Sequence, residues 1–87
     1  MSEKLEYLKK LELQIQEAEE VLIQRKAKRE KFRQQLQHEE IDRLEEHLAN
    51  AKIRLKDLST LAEESWQDFK QIIEDTLESL RESLKKL

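Results

Sequence analysis

The chain is 87 residues long, carries a net charge of −3, and contains no glycine, proline or cysteine. Without cysteine there is no disulfide framework, thiolate ligand or thiol nucleophile, and without glycine no Gly-rich phosphate loop. Charged residues make up 43% of the chain and aromatics 5%, which argues against a compact core and towards an amphipathic helix or coiled coil.

The first segment, 1–36, reads as a heptad helix. Ser2 is a plausible N-cap, and the apolar stripe runs Met1, Leu8, Leu11, Ile15, Ala18, Leu22, Arg25, Arg29, Phe32 and Leu36. Arg25 and Arg29 fall on the stripe itself, where buried polar layers can fix register. After Leu36 the phase slips across Gln37 to Glu40 before Ile41, so 36–41 is the first place where the chain could kink or reverse.

From 41 to 87 an eleven-residue repeat fits better. Its columns are Leu44, Leu55, Trp66 and Leu77; His47, Leu58, Phe69 and Leu80; and Ala51, Ala62, Ile73 and Leu84. Eleven residues over three turns favour a nearly straight or slightly right-handed seam, unlike the heptad half. The run 57–65 is a second place for a reversal: Thr60 with Glu63 has the spacing of a capping box, and Ser65 with Asp68 is a weaker version. Uninterrupted helix is the simpler reading there. The pairs Glu6 with Lys10, Glu39 with Arg43 and Glu82 with Lys86 suit exposed helical faces. A single helix of this length would extend about 130 Å and bury almost nothing, so it needs a partner or a fold-back.

Charge decides the direction of pairing. Arg25, Lys26, Lys28, Arg29, Lys31 and Arg33 against Glu30 give a block of net +5, and Glu39, Glu40, Asp42, Glu45 and Glu46 against Arg43 give net −4. A parallel dimer would set like on like. Antiparallel pairing centred near Leu36 puts residue i opposite roughly 72 − i, so Lys26 approaches Glu46 and Arg33 approaches Glu39. The expected fold is therefore all-α, a single unit over 1–87 paired antiparallel, either between chains or as a helical hairpin reversing near 36–41 or 57–65.

Catalytic and metal chemistry find little support. His38 and Asp42 lie one turn apart with His47 nearby, but neither histidine has a glutamate three residues before it, and the second histidine of the zinc-protease motif is absent. The serines and threonines have no base at a readable spacing. The expectation is no enzyme, no catalytic residues, no metal and no cofactor. Acidic residues flank the basic block, so nucleic acid is not an expected partner. The N-terminus has neither signal-peptide nor transit-peptide character, no stretch reaches membrane-spanning length, and a cytoplasmic location is expected.

The last segment, 61–87, carries the broadest apolar face, and Trp66, Phe69, Ile73, Leu77, Leu80 and Leu84 are the expected interaction residues. The chain from Thr60 onward has seven acidic and four basic residues, a balance that suits a protein surface better than anionic lipid. Lys26, Arg29, Arg33, Glu39, Glu45 and Glu46 are the expected charge-pairing residues. The run Leu61-Ala62-Glu63-Glu64-Ser65-Trp66-Gln67-Asp68-Phe69-Lys70, with its echo at Leu77 to Leu84 and a start near Tyr7-Leu8-Lys9-Lys10-Leu11, resembles a group of small bacterial coiled-coil stress-response proteins. Relative to that pattern, Ser65 replaces alanine, Leu77 replaces a second tryptophan, and the Gly-containing break is missing. The resemblance implies a bacterial, cytoplasmic, stress-linked setting and no particular activity. The function expected is that of a self-associating interaction or scaffold protein, as an antiparallel dimer or higher bundle. The alternative is an accessory subunit of a larger complex, or a lipid-surface protein, docking through 61–87.

Overall fold

The computed structural model describes residues 2–31 and 38–87. It consists of three helices, α1 (Glu3–Lys31), α2 (His38–Thr60) and α3 (Trp66–Lys85), with a single 3-10 turn at Glu63–Ser65 before α3. Consecutive helices run antiparallel and α1 lies parallel to α3. The bundle measures 49 × 17 × 17 Å, against about 130 Å for one continuous helix. The antiparallel pairing read from the charges is thus made within one chain, and the chain reverses twice.

Local chemistry accounts for the helix ends. Ser2 caps α1 by accepting the Leu5 backbone N–H at 3.4 Å. The basic block falls at the C-terminal end of α1 and the acidic block opens α2, with Glu39 and Glu40 in its first turn. Each block sits where the helix dipole favours its sign. The residues between α1 and α2, 32–37, lie outside the described residues, and with them Leu36 and Gln37 of the expected 36–41 reversal, while 38–41 already belong to α2.

The second reversal is fully described, and it corrects the reading of unbroken helix through 57–65. α2 ends at Thr60, Ala62 is extended at φ −67° and ψ 147°, and no described residue has positive φ. The bend at Leu61 and the extended Ala62 turn the chain without glycine. Ser59 donates to the Lys56 carbonyl at 2.7 Å, and Thr60 donates to that of Asp57 at 3.1 Å. Those hydroxyls point back into α2, so the Thr60–Glu63 capping box does not form, and Ser65 likewise makes no side-chain cap on α3. The last turn of α2 has no basic residue of its own. The cation comes from α1: the Lys4 ammonium donates to the Leu61 carbonyl, and Ser2 donates to Glu63 beside it.

Composition argued against a compact core, yet folding the chain twice gives the three apolar faces one another to bury against, and the resulting core follows the two apolar repeats. Leu11, Ile15, Ala18 and Leu22 face inward from α1, Ile41, Leu44, Leu48, Ala51 and Leu58 from α2, and Trp66, Ile73 and Leu80 from α3. Arg25 is half-buried. Ala62 leaves its column because the turn carries it to the surface. Among the described residues there is no strand, and no helix is long and apolar enough to cross a membrane.

Candidate functional site: the groove between α1 and α3

The side chains that meet at the α1–α3 seam come from the N-terminal halves of both helices. The Tyr7 ring stands against Trp66 with centroids 5.1 Å apart and planes tilted by 50°. Its hydroxyl donates to Glu74 Oε1 at 2.8 Å. Lys10 Nζ lies 5.1 Å and Lys70 Nζ 5.7 Å from the centre of the same ring, within cation–π range. Lys70 also pairs with Glu3 at 2.5 Å. The hydrogen bond to Glu74 raises the Tyr7 pKa above 10.0, with desolvation and the Glu74 charge adding in the same direction. The hydrogen bond to Glu3 raises that of Lys70 above 10.5.

Past this cluster the two helices leave an open groove of about 480 Å³, with Tyr7, Lys10, Leu13, Gln14 and Glu17 on one side and Glu74, Leu77, Glu78 and Arg81 on the other. Leu13 stands at its edge, 61% exposed. Both signs of charge line the walls, and Arg81 spends part of its guanidinium on Glu78 at 3.5 Å. Such a mixed, open trough suits an amphipathic helix better than a small anion or a reacting substrate.

A smaller groove of about 340 Å³ lies between α2 and α3, lined by His47, Asn50 and Arg54 on one side and Ile72, Asp75, Thr76 and Ser79 on the other. Here His47 is half-buried. Asp42 is exposed on α2, and the side chain of His38 lies outside the described residues. Among those residues no group of three or more histidine, aspartate or glutamate side chains converges as a metal site would require.

The expected interaction residues are placed in the intramolecular core. Trp66, Ile73 and Leu80 are at most 2% exposed, and Phe69, Leu77 and Leu84 pack against them half-buried. Burial leaves the Trp66 indole N–H without a hydrogen-bond partner among the described residues. Of the expected charge-pairing residues, Lys26 pairs with Glu45 across α1 and α2. Glu19 pairs with Lys52 at 2.8 Å along the same seam. The two pairs place residue i opposite about 71 − i, one residue from the register read in the charge blocks. Glu39 and Glu46 are exposed and form no ion pair among the described residues. The Arg29 side chain and Arg33 lie outside those residues.

Sequence reasoning did not single out Tyr7. It precedes Leu11 by four residues and so borders the α1 stripe, a signal masked by Leu8 sharing that position.

No family model, curated protein or solved structure matches this chain.

Proposed function

We propose that this chain is a non-enzymatic helical interaction module that self-associates and acts as a scaffold, with a second copy as its partner. The observation that carries this reading is the set of large aliphatic side chains left in solvent on α1. Leu5 is 52%, Leu13 61% and Ile23 68% exposed, on a chain whose charge content would let charged side chains fill those positions. Leu13 borders the α1–α3 groove, and a helix laid there would cover it. A cytoplasmic site fits the absence of cysteine, and a bacterial stress-linked role rests on the motif likeness at 61–70 and 77–84. Docking through the 61–87 face would draw on the side chains that hold α3 in the bundle.

Burying one leucine contributes about 1.5–3 kcal/mol. Leu13→Glu is therefore expected to weaken self-association by about 10- to 100-fold in a sedimentation-equilibrium series, with helicity unchanged. An unaltered dissociation constant would contradict an interface at this groove.

A further inference from the structure

From Ile41 to Leu87 an apolar side chain recurs every three or four residues without a miss, and the series runs straight through the reversal by way of Leu58, Ala62 and Trp66. Two helices joined by a turn have no need to share one phase. Here they do, although Ala62 is exposed in the turn and its place in the stripe is unused. Alanine and glutamate, which occupy 62–64, are among the strongest helix formers, and the turn contains no glycine or proline to oppose a helix. Ala62 already has helical φ at −67°; only its ψ of 147° departs from the helical value of about −42°.

We infer that α2 and α3 can fuse through Ala62 into one helix, and that two copies then exchange α3 to form a closed dimer. This rests on the reading of the chain as self-associating and adds a second route to it, one that leaves Leu13 and the α1–α3 groove uncovered. The fused helix from 38 to 85 would be about 72 Å long. The α2–α3 groove is lined by residues within 47–54 of α2 and 72–79 of α3, which centres the antiparallel register at residue i of α2 opposite about 126 − i of α3. A two-fold axis at about residue 63 reproduces that register between copies, so each α3 packs on the partner's α1 and α2 as it packs on its own. Core contacts are conserved. What is given up lies at the turn, the Lys4 contact to the Leu61 carbonyl and the Ser2 contact to Glu63, while Ala62 regains its place in the stripe. Exchange of an identical element is a low-cost route to a dimer when the hinge is short.

The chain has no native cysteine, so introduced thiols report cleanly. Glu3 and Lys70 touch across α1 and α3. A Glu3→Cys chain is mixed with a Lys70→Cys chain at millimolar concentration, warmed through the unfolding midpoint, cooled, and treated with a short bismaleimide. Exchange predicts covalent heterodimer. It also predicts that Ala62→Pro, which suits φ −67° but breaks a continuous helix, lowers the dimer fraction at least about tenfold while the chain stays helical. Ser59→Ala with Thr60→Ala, which raises helix propensity at the hinge, should increase the dimer fraction, and this pair decides the matter if Ala62→Pro loses helicity.

A dimer that persists in Ala62→Pro and gives no cross-link overturns exchange and leaves self-association through the surface standing. A dimer fraction unmoved by Ser59→Ala with Thr60→Ala, in the absence of cross-link, overturns exchange as well. A 10.5 kDa species at every concentration, again without cross-link, overturns both readings.

Discussion

Trp66 and Tyr7 tie the start of α3 to the start of α1, and their substitutions separate packing from hydrogen bonding. Trp66 is 2% exposed, and its N–H has no partner among the described residues. An unmet buried donor costs about 1–3 kcal/mol, which offsets part of what the ring contributes. Trp66→Ala, leaving a large cavity, is expected to lower unfolding free energy by about 3–5 kcal/mol. Trp66→Phe, which removes the orphan donor along with some volume, should cost less than about 1.5 kcal/mol. Urea titrations followed by circular dichroism measure both; equal losses would mean that the indole does not pack as described. The same measurement against pH tests the polar half of the cluster. Tyr7 holds its proton more tightly folded than at its ordinary 10.0, and Lys70 more tightly than at 10.5. Both contributions are fully present below those values and are lost as pH rises through the higher folded ones. The melting temperature should therefore fall above about pH 10, less steeply in Tyr7→Phe.

Between helices, the α1–α2 seam combines apolar contact with exposed ion pairs. Lys26–Glu45 and Glu19–Lys52 are 41–55% exposed, a setting in which each contributes about 0.2–1 kcal/mol and is screened by salt. Lys26→Glu should lower the melting temperature at low ionic strength, with the loss shrinking in 1 M salt and recovering when Glu45→Lys is added. A loss indifferent to salt would indicate a packing defect instead. This seam was the most legible part of the sequence, because blocks of net +5 and −4 can face one another only antiparallel. The α2–α3 corner was less legible. Its cue, the hydroxyls of Ser59 and Thr60, is weak in a helix-forming context, and its securing cation, Lys4, comes from the far end of the chain. The capping-box spacing at Thr60 marked the right neighbourhood for another reason: the hydroxyl serves the carbonyls behind it, not the amides ahead. Helix-internal pairs were the least legible. Glu6 with Lys10 does not form, because Lys10 lies over the Tyr7 ring.

For the whole molecule, the apolar stripe that called for a partner is largely consumed by the chain's own fold. Most of the α3 face that sequence periodicity marks as sticky is covered by α1 or α2; Leu5, Leu13 and Ile23 on α1, Ile53 on α2 and Ile72 on α3 are left in solvent. Periodicity tells which residues want burial. It does not tell whose surface buries them, since one chain folded twice and several chains side by side satisfy the same pattern; the α1–α3 groove was for that reason invisible in the sequence. Small-angle X-ray scattering extrapolated to zero concentration, with forward intensity giving the mass, separates these arrangements. The three-helix fold predicts a 10.5 kDa particle with a radius of gyration close to the 14.6 Å of its Cα trace. A mass that stays at a multiple of 10.5 kDa on dilution, with a radius near the roughly 38 Å of a 130 Å rod, would contradict it.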